Sequence, residues 1–373
     1  MIKLISLKKD SNIKVDPQIS YFLNPDFVYI PINAKILIQQ NEKVTKEEFV
    51  TADLASPISG TAIGIKTMQE ENINKKCLVI ANDFRELSKN KKVKKRKITL
   101  NNIVDILIKN NEEKLLKKLQ NQNKFDNIII SAINDEPYIF NNIYILKENI
   151  ADLLSIIDEL SMLYKSNNNY LIVKNNEANI INDCLNSIGT YPNIKLTLVN
   201  DEYLLEKEEF ILKKLQIINE KNLYLDVNDL DMLCNYLLGK DNSTKLITIS
   251  GDAILESKVI RTKKNVLLSD IIKKYIKIID AKYDVIFNGL MSGCIIKDVD
   301  NFVITNNINS INIMKKKTFK VVDCINCGKC IEICPKNLNP LNKHNLEKCI
   351  NCGLCSYVCP CYINLKKEVK INE

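Results

Sequence analysis

The chain has 373 residues, 46% hydrophobic and 26% charged, long enough for two or three domains and apolar enough for each to bury a core. Lys and Arg total 53 against 45 Asp and Glu, a formal charge of +8. The charge is spread widely and no aromatic-basic platform accompanies it, so specific nucleic-acid binding is not expected, whereas an acidic redox partner or an anionic surface fits. No stretch approaches the length of a membrane span, and the N-terminal MIKLISLKKDSNIKVDP meets lysines too early for a signal peptide. A cytoplasmic protein is expected, able to dock peripherally on the cytoplasmic face of a membrane complex.

In chain order, residues 27–80 predict short strands and turns: FVYIPI, KILIQQ, SPISGTAIGIK with Pro57 and Gly60 at a tight turn, and LVIAND. ELSKNKKVKKRK (86–97) is basic and nearly free of apolar residues, which predicts a solvated linker. Residues 99–120 carry Ile103, Ile106, Leu107, Leu115, Leu116 and Leu119 at helical spacing, which predicts a continuous amphipathic helix. FDNIIISAI, YLIVKNN and NIKLTLVN read as strands. ADLLSIIDELSMLYKS, NEANIINDCLNSIG, EKEEFILKKLQ and DLDMLCNYLLG read as helices. That alternation predicts an α/β domain with mostly parallel strands, in which Cys184 and Cys234 are buried helical residues. STKLITISGDAI and IRTKKNVLLSDIIKKYI predict strand, strand and helix, and DVIFNG and NFVITNN two more strands around the turn LMSGC. Cys294 in that turn is a lone cysteine and reads as structural.

Nine of the thirteen cysteines fall in the last fifty residues. The first run is Cys324-x2-Cys327-x2-Cys330-x3-Cys334-Pro335, the second Cys349-x2-Cys352-x2-Cys355-x3-Cys359-Pro360. Each reproduces the ligand run of a bacterial [4Fe–4S] ferredoxin, in which the fourth cysteine ligates the other cluster. One cluster is therefore expected on Cys324, Cys327, Cys330 and Cys359, the other on Cys334, Cys349, Cys352 and Cys355. Three close thiolates wrap one cluster, Gly328 and Gly353 permit positive φ or close backbone approach, and Pro335 and Pro360 end each short turn. Zinc is the alternative, but zinc sites rarely use a duplicated three-cysteine run followed by CxxxCP. Cys361 lies outside the eight-ligand set. The single histidine, His344, falls between the runs and reads as an exposed connector residue. Two clusters imply one-electron transfer, with no catalytic residue required.

These segments in this order resemble the C subunit of the Rnf complex, an ion-translocating ferredoxin:NAD oxidoreductase, and the related electron-transfer protein associated with proline reductase. Ala55-Ser56-Pro57-Ile58-Ser59-Gly60-Thr61 is similar to the family's proline–glycine hairpin, Ile130-Ser131-Ala132-Ile133-Asn134-Asp135-Glu136-Pro137-Tyr138 to its N-G-A-E-C-E-P-Y segment, whose core only Asp135, Glu136, Pro137 and Tyr138 keep, with Asn134 before them, and Gly289-Leu290-Met291-Ser292-Gly293 to its G-G-P-M-M-G turn. The resemblance spans almost the whole chain. It implies a multidomain α/β and α+β fold: a barrel-sandwich hybrid over 1–85, an α/β domain like the FMN- and NADH-binding domain of the complex I flavoprotein over 98–240, a β-grasp (soluble-ligand-binding) unit over 241–318, and a two-[4Fe–4S] ferredoxin-like module over 319–373. The family's glycine-rich flavin loop has no counterpart: residues 105–127 contain no glycine. Backbone amides approach a phosphate closely where glycines permit it, so FMN and NADH are not expected, and Glu136-Pro137-Tyr138 is expected only to shape a turn. The expected function is a relay of single electrons between a ferredoxin-, flavodoxin- or flavoprotein-like donor and a reductase or Rnf-type complex. The alternatives are an NADH-oxidising, flavin-dependent subunit and a cluster-stabilised scaffold.

Overall fold

The structure, a computed structural model, describes residues 5–7, 13–88, 98–120, 122–218, 220–342 and 346–366. Most of the basic 86–97 stretch and His344 lie outside these residues. The architecture is multidomain, α/β and α+β, built on several sheets.

The N-terminal strand β1 (Val15–Phe22) is followed by β2 (Phe27–Pro31), β3 (Lys43–Val44), β4 (Gly60–Glu70) and β5 (Ile73–Asn82). The last four form an antiparallel sheet in the order β2-β5-β4-β3. Gly60 sits where a Cβ would lie 2.0 Å from the Ala81 carbonyl oxygen, so only glycine lets β4 approach β5 there. KILIQQ, expected as a strand, makes only an isolated bridge from Ile36 to Thr51.

The next unit holds α1 (Leu100–Lys109), α2 (Glu113–Leu119), β6 (Asn127–Ser131), α3 (Asn141–Tyr164), β7 (Asn168–Lys174), α4 (Ala178–Ile188), β8 (Ile194–Val199), α5 (Glu208–Lys214), β9 (Asn222–Asp226) and α6 (Val227–Leu238). Its four strands are all parallel, in the order β8-β7-β6-β9. Every residue of β6 is buried, as expected of a central strand covered on both faces. Ile128 and Ile130 join the larger core with α1, α3 and α6, while Ile129 packs on the opposite face with Ile172, Leu205 and Ile211. The helix expected over 99–120 is two helices, because Asn110 ends the first and Asn111 turns to φ 54°. α3 starts ten residues before the expected Ala151 and is kinked at Asn149.

The third group is β10 (Thr244–Ser250), β11 (Ser257–Lys263), β12 (Val266–Leu267), α7 (Leu268–Tyr275), β13 (Tyr283–Phe287), β14 (Cys294–Ile295), β15 (Val303–Ile304) and β16 (Ser310–Lys315). The six-stranded sheet runs β1-β11-β10-β16-β13-β14. β1, from the N-terminal segment, thus joins this sheet and not the one formed by β2–β5. A single core runs from Val28, Ile30 and Ile80 to Ile247, Phe302 and Ile311, so the N-terminal strands and the third group fold against each other. The expected strand NFVITNN is reduced to β15, which pairs with β12.

The cysteine-rich segment carries the short helices α8 (Lys329–Glu332) and α9 (Leu354–Tyr357) with a 3-10 turn at Leu346–Lys348. It docks through a small core of Cys352, Leu354, Ile350 and Ile333 with Tyr203, Leu204, Phe210 and Met291.

Candidate metal centres

The two cysteine runs form the same backbone shape twice. Asn326 and Asn351, each two residues past the first cysteine, take φ 53° and 55°. Gly328 and Gly353 take φ 74° and 76° and open α8 and α9. Each asparagine directs its backbone N–H at the first thiol of its run, 3.4 Å from Cys324 Sγ and 3.4 Å from Cys349 Sγ. Each helix then turns the fourth cysteine away, with the Cys334 N–H on the Ile331 carbonyl and the Cys359 N–H on the Ser356 carbonyl.

That exit crosses the fourth cysteines over. Cys324, Cys327, Cys330 and Cys359 line one cavity of about 20 Å³. Cys334, Cys349, Cys352 and Cys355 line another of about 30 Å³. Among the described residues no His, Cys, Asp and Glu side chains close around a single metal ion. An iron–sulfur cubane takes one thiolate at each of four corners. The donor set of four thiols per cavity, with amide N–H groups turned to sulfur, fits the cubane. Burial pushes the Cys352 thiol up to about 11 and raises Cys330 and Cys355 as well, so a metal group held here would have to displace their protons. Cys361, expected outside the ligand set, is also buried and also lines the first cavity.

The two sites differ in cover. Cys324 and Cys327 are exposed, whereas Cys352, the counterpart of Cys327, is 7% exposed. What covers it is a clamp the sequence did not reveal. Glu136 accepts hydrogen bonds from the N–H of Met291 (2.9 Å) and of Ser292 (2.7 Å) and from the Tyr203 hydroxyl (3.2 Å). The Tyr203 hydroxyl also lies 2.8 Å from the Cys352 carbonyl oxygen. From the other side the Lys366 ammonium donates to the carbonyls of Met291, Ser292 and Gly293. Glu136 therefore holds a turn 155 residues away as well as its own. A Cβ on Gly289 would lie 2.4 Å from its carboxyl carbon, so the glycine is what lets the turn approach. Burial holds the Glu136 carboxyl above its usual range against the hydrogen bonds from Ser292 and Met291.

Glu136 also lines a cavity of about 230 Å³ with Ala132, Asn134, Tyr138, Lys174 and Glu177. It opens where β6 and β7 end, the edge of a parallel sheet where α/β folds bind ligands. The Lys174 ammonium is committed to the Asp201 carboxylate at 2.6 Å and to the Asn134 carbonyl. Cys184 and Cys234 are buried on α4 and α6, and Cys294 is half-buried in β14.

No protein-family model and no curated protein sequence matches the chain. Among solved structures, a chain of an NAD+-reducing [NiFe]-hydrogenase in the H2-reduced state is similar at 11% identity and a TM-score of 0.45, covering 56% of this chain and 42% of its own length. A chain of an NAD+-reducing [NiFe]-hydrogenase in the air-oxidized state is similar at 11% identity and a TM-score of 0.46, covering 68% of this chain and 48% of its own. This chain thus spans less than half the length of either. Both enzymes reduce NAD+, and on that finding the expectation that FMN and NADH are foreign to this chain is given up. Among the described residues no helix is long and apolar enough to cross a membrane.

Proposed function

We propose that the chain is an electron-transfer protein that passes single electrons through two [4Fe–4S] clusters, as a redox component of a larger oxidoreductase complex. The observation that carries this reading is the pair of cavities, each lined by three cysteines of one run and the fourth cysteine of the other. Cys324, Cys327, Cys330 and Cys359 would hold one cluster, and Cys334, Cys349, Cys352 and Cys355 the other. When bound, each cluster supplies one-electron storage whose potential follows the hydrogen bonds and burial around its sulfurs. The chain's own part is to turn the Asn326 and Asn351 amides to sulfur, to shield the second site with Tyr203, Leu204 and Phe210, and to leave the first open. The exposed site suits exchange with a soluble ferredoxin-, flavodoxin- or flavoprotein-like donor, and a reductase or Rnf-type complex is the corresponding acceptor.

The cavity at the sheet edge favours a second reading, in which the chain itself takes electrons from NADH through a flavin. Glu136, Tyr138, Lys174 and Glu177 would then line that site. Glu136 links it to the second cysteine site through Tyr203.

Anaerobic reconstitution tests both readings. The two-cluster reading expects about eight irons per chain and two interacting EPR signals after dithionite. A stable zinc form without EPR signals, or centres that no low-potential donor reduces, would overturn it. NADH added with and without FMN then separates the relay from the NADH-oxidising subunit, since only the latter reduces the clusters in an FMN-dependent way.

A further inference from the structure

The two cysteine runs begin as CINCGKC and CINCGLC, identical but for Lys329 and Leu354. The second copy shows what this surface is for. Its Ile350 and Leu354 pack on Tyr203, Leu204 and Phe210, and Leu354 is 1% exposed. Gly353 is pressed so close to the 289–293 turn that a Cβ would lie 2.2 Å from the Met291 carbonyl oxygen. In the first copy the same face is bare. Ile325, the counterpart of Ile350, is 64% exposed, and a Cβ on Gly328 would meet nothing within 4 Å. Val321, Val322 and Leu341 add exposed apolar surface, and Leu341 and Ile325 line the same cavity as Cys324.

We infer that this face of the first repeat is the docking surface for an acidic one-electron carrier protein. One copy of the motif makes a permanent apolar contact within the chain. In the other, a lysine replaces the leucine, so the contact is suited to a partner that binds and leaves. Five lysines stand against two acids between residues 315 and 332; Lys316 and Lys317 pair with Asp284 and Asp252, whereas among the described residues no ion pair engages Lys320 or Lys329. A cationic rim around an apolar centre is the arrangement that steers an anionic protein and then excludes water at the contact. The inference rests on the two-cluster reading, because it needs the first site to accept electrons.

The test uses the reconstituted full chain and a reduced acidic [2Fe–2S] ferredoxin as the probe, with stopped-flow rates measured from low to high salt. Lys320→Glu is expected to lower the low-salt second-order rate about tenfold and to flatten its salt dependence, with iron content and dithionite reduction unchanged. Lys329→Leu, which copies the second repeat, should flatten the salt dependence too, and Ile325→Ser should lower the rate at high salt. The double variant Lys35→Glu/Lys66→Glu, on exposed lysines of the N-terminal region, one between β2 and β3 and one in β4, makes a larger net-charge change elsewhere and should lower the rate less than Lys320→Glu. Equal losses from both sets, or no loss from Lys320→Glu, would overturn the docking surface. So would a result in which Lys320→Glu abolishes self-association or binding to anionic vesicles while the ferredoxin rate stays the same. If Lys329→Leu loses iron, Lys320→Glu alone carries the test, since it lies outside the motif. A native chain that assembles no reducible cluster fails the proposed function before any rate is measured, so the two failures are distinct.

Discussion

Asp135 and Glu206 face each other at the carboxyl end of the parallel sheet, each backbone N–H donating to the other's carboxylate at 3.3 and 3.1 Å. Burial raises both, and for Glu206 the charge of Asp135 adds to it, while the Lys174 ammonium partly offsets the effect on Asp135. Both groups therefore bind protons more tightly when folded than when unfolded. Their contribution to stability is fully present below about pH 4 and is lost as the pH rises through the raised folded values. Denaturant midpoints should fall from pH 5 to pH 7, and Glu206→Gln should flatten that slope. A slope unaffected by the substitution would mean the pair does not hold the extra proton. The grouping of cysteines at each cavity was legible at this scale because CxxCxxC brings three thiols together within a single turn of chain. The clamp of Glu136, Tyr203 and Lys366 was not. Its hydrogen bonds join residues 67 to 156 positions apart, and no local spacing encodes such a pairing.

Helices and strands were legible where a period ran unbroken, as in β6 and α6, the latter also marked by Asp226 capping the Asp229 N–H at 2.8 Å and by Gly239 at φ 67°. They were not where tertiary pairing decides. β16 (Ser310–Lys315) lies inside the six-stranded sheet between β10 and β13, yet its short sequence is flanked by asparagines and lysines and carries no distinct signal. α3 ends on Lys165 in the left-handed region at φ 50°, where a non-glycine residue is strained. Lys165→Gly should therefore stabilise the chain by roughly 0.5–1 kcal/mol, read as a higher denaturant midpoint at unchanged m-value. The repeated turns give a sharper comparison. Gly328→Ala and Gly353→Ala impose the same backbone strain, about 1 kcal/mol. Only Gly353→Ala drives a Cβ into the Met291 carbonyl. Gly353→Ala should thus lower the thermal midpoint and iron occupancy more than Gly328→Ala does, and equal effects would mean the second site is not held by that contact.

Among the described residues two cores are large, and neither includes any of the eight cysteines proposed as ligands. The small cluster around Tyr203 and Phe210 includes Cys352. Removing iron with a chelator should accordingly raise amide hydrogen exchange across residues 324–365 and leave the sheets protected. Global unfolding on iron loss would show that the clusters support every domain. A separate tie joins the N-terminal strands to the third group. Asp241 accepts from Lys46 at 2.6 Å and lies 3.5 Å from the buried Lys263. Burial pushes the Asp241 carboxyl up, but hydrogen bonds from Lys46 and Ser243 and the Lys263 charge prevail and leave it well below its usual range. Asp241→Asn leaves the buried Lys263 ammonium with the Ser243 hydroxyl at 2.9 Å and the exposed Glu86 carboxylate at 3.7 Å. The expected loss is ~2 kcal/mol by denaturant titration, less than for a fully buried pair because Asp241 is 38% exposed. The alternation of strands and helices through the chain was readable from the sequence because each segment keeps its own pattern. The joining of β1 to the distant β11 was not, since register across 240 residues leaves no periodic trace.

The crossing of the fourth cysteines has a consequence for biosynthesis. Cys334 serves the cavity of the later run, and Cys359 that of the earlier one. The second four-thiol site is incomplete until residue 355 has emerged from the ribosome, and the first until residue 359 has. By then the residues of both large cores have been translated in full, so loading of the proposed clusters would follow synthesis of the scaffold. A nascent chain stopped before Cys359 cannot carry a complete first site, and one stopped before Cys349 carries neither.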